Sequence, residues 1–262
     1  MIHPTAIVAK EAKLAPDVRI GPYAVIGSGV TIGAGTQIGS HVVIEGRTTI
    51  GQRCRIFSSA CLGGPSQTMP LKSIDSSLIV GDDNVIREHV TMNVSMKEGG
   101  KTVVGHRNFF MANSHVGHDC VVGDDVVMAN SAALGGHVAV GDRAVIGGLV
   151  GVHQHVRVGK LAMVGGVSKL TMDAVPFSIH DGRPTAFHGL NVVGLRRAGY
   201  SAEQMSAIKL ALKMLLGTRA NLSRVLPEVE KEFAGNADVG YILSFIRASK
   251  RGVARSSTKS DE

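Results

Sequence analysis

Residues 114–120 read SHVGHDC, two histidines, an aspartate and a cysteine within seven positions, in surroundings made mostly of glycine, valine and alanine. Such a set can bind a metal, present a thiol, move a proton or decorate a surface, and the choice among them depends on where each side chain points. Two more histidine-bearing stretches follow, LGGHVAVGD (134–142) and GVHQHVRVG (151–159). Their directions are set by the elements that carry them.

Those elements are repetitive. The 262 residues are 44% hydrophobic and 19% charged, a globular balance, yet only 4% are aromatic, none is Trp and 33 are Gly. A core without large rings has to be filled by many thin aliphatic layers. Steps of six from Ile2 meet Val8, Leu14, Ile20, Ile26, Ile32, Ile38, Ile44, Ile50, Ile56 and Leu62; the register resumes at Val80, Ile86 and Met92, and again from Val104 to Leu170. Four places beyond each step the residues are mostly small, as at Ala6, Ala12, Val18 and Ala24. Six is a multiple of two and not of 3.6, so the period belongs to strands and corners. The bulky first place and the small fifth place fill the inside of a narrow coil, and the other places face outward or turn corners.

The breaks in register, near 63–79 and 93–103, contain Pro65, Pro70, Gly99 and Gly100 and predict external loops. After Leu170, Pro176 and Pro184 mark a linker. The repeat and linker therefore take residues 1–186. Residues 187–262 change period: SAEQMSAIKLALKMLL from Ser201 has the form of a capping box followed by helical spacing, and further helices are expected near 222–234 and 238–249 before a frayed tail from Arg251. The expected fold is a mainly β one, a parallel β-helix followed by a small α-helical domain.

The period resembles that of the hexapeptide-repeat transferases, and that resemblance implies three sextets, eighteen residues, to a triangular coil, which would stack positions eighteen apart at about 4.8 Å. His118 then lies under Gly136 and Gln154, and Asp119 under His137 and His155. His118 and His137 occupy outward places and can share a cleft. Gly136 leaves its backbone N–H accessible above His118, which suits an oxyanion donor. Cys120 falls on the fifth, inward place, so HDC makes a poor zinc site and no metal is expected. Adjacent strand residues diverge, which leaves Asp119 without an assigned role.

Cys54, Cys61 and Cys120 are odd in number and lack C-x-x-C spacing, so they read as small buried hydrophobes, neither disulfides nor zinc ligands. MIHPTAIVAKEAK has neither the basic start nor the apolar run of a secretory signal, and a cytoplasmic protein is expected. The formal charge of +7 favours an anionic partner. No nucleic-acid motif with stacking aromatics accompanies it, so nucleic acid is not expected.

The six-residue period resembles that of the hexapeptide-repeat transferases, whose coil is left-handed. SHVGHDC, LGGHVAVGD and GVHQHVRVG, with IREHVTMN (86–93) and GLNVVGLRRAGYS (189–201), resemble over nearly the full chain the acyl-carrier-protein-dependent UDP-N-acetylglucosamine acyltransferases that begin lipid A biosynthesis. That resemblance implies a homotrimer without cofactor or metal, taking a 3-hydroxyacyl chain from acyl carrier protein to the 3-position of UDP-N-acetylglucosamine. It implies His118 as general base, a task suited to imidazole. It gives the oxyanion to Gly136, the substrate site to Gln67, His115, His137, His153, Gln154 and Asn191, the phosphates to Arg197, and the acyl-chain stop to Gly166. Two departures stand out. The family's Gln-Asp-Leu-Lys loop is here Gln67-Thr68-Met69-Pro70-Leu71, with Lys72 displaced, and its Asn-x-Glu-Gly-Leu-x-Arg-Arg-Gly becomes Asn191 to Gly199 with Val193 and Ala198 in place of the glutamate and second arginine. A 3-amino sugar acceptor, an acetyl-CoA-dependent sugar acetyltransferase and a trimeric scaffold without activity are the alternatives.

Overall fold

The computed structural model describes residues 1–69, 74–217 and 221–256. Short strands from Ile7 to Leu170 wind into a left-handed parallel β-helix with one sheet on each side of a triangular coil, of nine, eight and eight strands, the last extended to ten by the strands Ser178–Asp181 and Ala186–Leu190. Register follows the six-residue period: Val116 pairs with Leu134, Leu134 with Val152 and Val152 with Leu170. From Ile20 onward the bulky places are buried, and Val30, Val42, Cys54, Ala60, Val90 and Cys120 fill the small places beside them. This aliphatic stack needs no large ring because each layer is one residue thick.

The ends of the register differ from its middle. Ile2 is 49% exposed and Val8 and Leu14 are only half-buried, whereas the inward places from Ile20 to Val152 have a coil on either side. Cys54 and Cys120 are buried as expected, whereas Cys61 is exposed: it precedes the inward Leu62 and alternation turns it out.

Both breaks in register are whole multiples of six. Arg55 pairs with Val85, thirty residues on, and Val85 with Phe109, twenty-four on, so twelve and six residues are added without rotating the coil. The loops are shorter than expected from sequence. Ser77–Val80 and Lys101–Val104 are four-residue strands paired in register, Ser77 with Lys101 through Val80 with Val104. Their alternating burial carries the strand one residue pair upstream of the hexapeptide register, which withdraws 77–79 and 101–103 from the loops.

The expected linker is a β-hairpin. Ser178–Asp181 pairs in parallel with the last strand of its sheet and antiparallel with Ala186–Leu190, so the boundary at 186/187 falls inside a strand. Among the described residues four helices follow: α1 (Val192–Arg197), α2 (Ala202–Leu216), α3 (Leu222–Glu232) and α4 (Ala237–Arg247). The Ser201–Gln204 capping box is formed at α2. Helix α1 escaped the sequence reading because its start signal, Asn191 accepting from the Gly194 N–H, heads only six residues. The helices pack on the top of the coil through a second core of Leu161, Val175, Phe177, Leu195, Leu212 and Ile242. Two cations pin them there. Arg157 lies 3.8 Å from the centroid of the Phe245 ring, and Lys160 faces the rings of Phe177 and Tyr241 and sits 3.5 Å from Asp238.

Residues 251–256 are not frayed. The Asp173 N–H donates to the Gly252 carbonyl, the Ala254 N–H donates to that of Asp173, and the Arg251 guanidinium donates to the Thr171 carbonyl. The tail thus adds a strip to the last coil and satisfies backbone groups that an open end would leave bare.

Candidate active site

His118 stands at a corner between the strands His115–Val116 and Val121–Val122. One coil on, the same corner holds Gly136 and His137, and the next holds Gln154 and His155; the His137 N–H donates to the His118 carbonyl and the His155 N–H to that of Gly136. The eighteen-residue stacking read from the sequence is therefore present. A Cβ on Gly136 would run into the His118 ring, so glycine is what gives the imidazole its room. Among the described residues the Gly136 N–H donates to no group of the chain, which leaves it free for a ligand.

Asp119 is where the sequence reading fell short. Its backbone is left-handed, with φ of 61°, as are those of His137 and His155 at the equivalent corner place. A left-handed residue breaks strand alternation, so Asp119 turns to the same side as His118. Its Oδ2 lies 2.8 Å from His118 Nδ1 and 3.9 Å from His137 Nε2. Oδ1 accepts from the Ser95 hydroxyl at 2.6 Å, and Oδ2 also accepts from the Met96 N–H at 3.1 Å. Burial alone would raise the Asp119 pKa; the hydrogen bonds from Ser95, His118 and Met96 and the nearby His137 outweigh it and hold the carboxyl below its ordinary value. An ionised carboxylate only accepts, so Nδ1 of His118 carries a proton, and in the neutral ring Nε2 then keeps the lone pair. That is the tautomer of a general base.

The other imidazoles arrange themselves around this pair. The rings of His118 and His137 meet edge to face at 5.1 Å, and His137 stacks on His155 at 4.5 Å. Burial lowers the pKa of His137 against the opposing pull of Asp119. His115 shares a 2.7 Å hydrogen bond with Thr91, and burial first, then His118, lowers its pKa. Both tend to the neutral form near pH 7, able to bond a polar ligand without an ion's desolvation cost.

Gln67, Asn93, His115, His118 and Gly136 line one cleft of about 360 Å³, floored by Leu134 and Val152. His153 and Gln154 lie exposed at the same corner, beyond this cleft, with His153 Nδ1 only 3.2 Å from the Gln154 carbonyl. Asn191 is not brought in. Its amide donates to the Leu161 carbonyl and its oxygen caps α1, at the corner that holds Leu161. Arg197 is exposed at the end of α1. Gly166 sits in an exposed turn at the remaining corner, where a Cβ would meet only the Gly148 backbone, at 3.3 and 3.8 Å. The residues assigned by resemblance thus lie at all three corners of one chain. Pro70, Leu71 and Lys72 lie outside the described residues.

His118, Asp119 and His137 offer donor atoms within 4.8 Å of one another, a spacing that a divalent metal also uses. Both oxygens of Asp119 are already engaged by Ser95, Met96 and His118, which describes a hydrogen-bonded acid–base pair. Cys120 takes no part: its thiol points inward to the Gly135 carbonyl at 3.1 Å, and burial pushes its pKa up to about 12. Asp119 and Ser95 are the side chains bonded into this cluster that sequence reasoning left unassigned. The readable signal for Asp119 was its corner place, where alternation no longer holds.

Comparisons with known proteins agree with one another. Residues 173–254 match the family model described as UDP N-acetylglucosamine O-acyltransferase, domain 2. The chain is 54% identical over 252 residues to an acyl-[acyl-carrier-protein]–UDP-N-acetylglucosamine O-acyltransferase of Chlorobaculum parvum, covering 96% of each chain. It is 46% identical over 255 residues to the enzyme of that description in Myxococcus xanthus, covering 97% of this chain and 99% of the relative. Among solved structures it is similar to a UDP-N-acetylglucosamine acyltransferase from Bacteroides fragilis, with a TM-score of 0.94 at 36% identity, over 97% of this chain and 100% of the other.

Proposed function

The chain belongs to the acyl-[acyl-carrier-protein]–UDP-N-acetylglucosamine O-acyltransferases, the enzymes of the first step of lipid A biosynthesis, and on that premise we propose that His118 is its general base. It moves an acyl chain from acyl carrier protein to UDP-N-acetylglucosamine. The donor in this reading is a 3-hydroxyacyl thioester and the acceptor atom is the sugar 3-hydroxyl. Its oxygen attacks the thioester carbonyl while His118 Nε2 takes its proton; the tetrahedral oxyanion meets the Gly136 N–H. Collapse breaks the C–S bond and the departing thiolate recovers the proton from His118.

The observation that carries this reading is the His118–Asp119 hydrogen bond at 2.8 Å beneath the unoccupied Gly136 N–H. Gln67 and His115, which line the cleft, and His137, edge to face with His118, are proposed to hold the sugar, together with His153 and Gln154 from the next coil. Asn191, Arg197 and Gly166 lie at other corners, so their part in the site needs neighbouring copies, and a homotrimer with the cleft between subunits supplies them. Residues 181–262 hold 13 Lys or Arg against 8 Asp or Glu, a surface suited to an acidic carrier. A cytoplasmic location accords with a carrier-borne donor, and no helix among the described residues is long and apolar enough to cross a membrane.

The test is the mass of the product made from UDP-N-acetylglucosamine and a set of 3-hydroxyacyl carrier proteins. An O-linked 3-hydroxyacyl product supports the reading; turnover with acetyl-CoA alone, or with a 3-amino sugar alone, sinks it.

Acyl length follows from Gly166. With no side chain at that turn, a long donor is expected to be preferred, each lost methylene costing about 0.8 kcal/mol. A Cβ at Gly166 would meet the Gly148 carbonyl oxygen at 3.3 Å, a contact that a backbone shift of a few tenths of an ångström relieves, so Gly166→Met should fold and shift the long-to-short donor ratio at least about tenfold toward the short. Competition between the two donors measures it, and an unchanged ratio in a folded variant removes Gly166 from the selection.

A further inference from the structure

The six residues added between the strands Thr91–Asn93 and Lys101–Val104 do more than connect them. Ser95 in this loop is fully buried, and its hydroxyl donates to Asp119 Oδ1 at 2.6 Å while accepting from the Lys97 N–H at 3.0 Å. The next residue sends its N–H to Asp119 Oδ2. The loop is itself held from the other insertion: the Ser76 hydroxyl donates to the Ser95 carbonyl at 2.7 Å and the Gly99 N–H donates to the Asp75 carbonyl at 2.7 Å. A Cβ on Gly100 would strike Ser95 Oγ, so the chain passes behind Ser95 only as glycine. The backbone of Asp119 is fixed separately, its N–H donating to Thr102 Oγ1 at 2.8 Å. Backbone and carboxylate are thus anchored by different groups.

We propose that Ser95 is a positioning residue for the acyl transfer: its hydroxyl, with the Met96 N–H, fixes the Asp119 carboxylate so that Oδ2 meets His118 Nδ1 and Nε2 faces the cleft. The proposal rests on His118 being the base. A carboxylate is free to rotate about its last bond, and a single hydrogen bond to His118 would leave it several orientations. Charge-assisted donors on both oxygens leave it one. Ser95 touches no substrate in this arrangement and acts through Asp119 alone.

Steady-state kinetics on the full-length enzyme with UDP-N-acetylglucosamine and 3-hydroxyacyl carrier protein tests this. Ser95→Ala is expected to lower kcat about tenfold with both KM values within twofold. In the Asp119→Asn background the same substitution should change kcat by less than twofold, because the group it acts through is gone. Ser76→Ala, which loosens the loop and spares the hydroxyl, should stay within threefold of wild type. Should Ser95→Ala be unstable, Ser95→Cys keeps the volume with a weaker donor and carries the same comparison. Wild-type kcat in Ser95→Ala, a tenfold loss that persists beside Asp119→Asn, or a loss confined to KM would each overturn the proposal while His118→Ala remains inactive. An active His118→Ala instead brings down the general-base reading itself.

Discussion

His118→Ala is expected to lower kcat about a thousandfold, within the range that a positioned base contributes. The loss follows from the geometry: the nearby imidazoles, His115 and His137, are bonded to Thr91 and stacked on His155 and cannot take over the place of Nε2. The fold should survive. The His118 side chain stands at a corner, bonded to Asp119 and edge to face with His137, and the backbone bond from His137 to the His118 carbonyl does not need the ring. Circular dichroism and thermal melting alongside kinetics check both halves. Activity within tenfold of wild type in a folded variant would falsify the role of base, and a collapsed melting curve would make His118 structural.

Gly136→Ala should cost about a hundredfold in kcat through one methyl group. The new Cβ would overlap the His118 imidazole, flanked by a hydrogen bond to Asp119 on one side and the edge of His137 on the other. The ring has to tilt, and a displacement of about 1 Å in a reacting group is worth about that factor. The same methyl crowds the N–H assigned to the oxyanion. Backbone strain is not the cause, since Gly136 is absent from the positive-φ residues. The variant should therefore melt near wild type while losing turnover; unaltered kcat would show that the imidazole is not held where the structure has it.

The repeat was legible because one inward aliphatic every six residues is a direct image of the coil, and the stacking of His118 on Gly136 followed once the family resemblance set three such sextets to a turn. Asp119 was not legible. Alternation predicts divergence from His118, and only the left-handed corner reverses it. Ser95 was hidden for another reason: it lies in a break in register, where period carries no information and contact with Asp119 depends on how the loop returns. Helix α1 and the hairpin 178–190 were missed where short elements leave no periodic signal. The different corners of Gly166 and His118 were implicit in the eighteen-residue coil, since the two fall in different sextets of their coils, whereas Asn191 lies beyond the register and takes its place from the hairpin.

The two ends of the coil are not alike. The last turn is covered by a hairpin, a tail strip and a helical cluster, while the first leaves the inward Ile2 49% exposed and Val8 and Leu14 only half-buried. In a stack where each turn is steadied mainly by the two beside it, melting is a front that travels inward from whichever end is less anchored. Here the front starts at Met1. The histidine corner then lies in the stretch that the front reaches late, so heat or denaturant should unzip the early turns while the catalytic pair is still assembled.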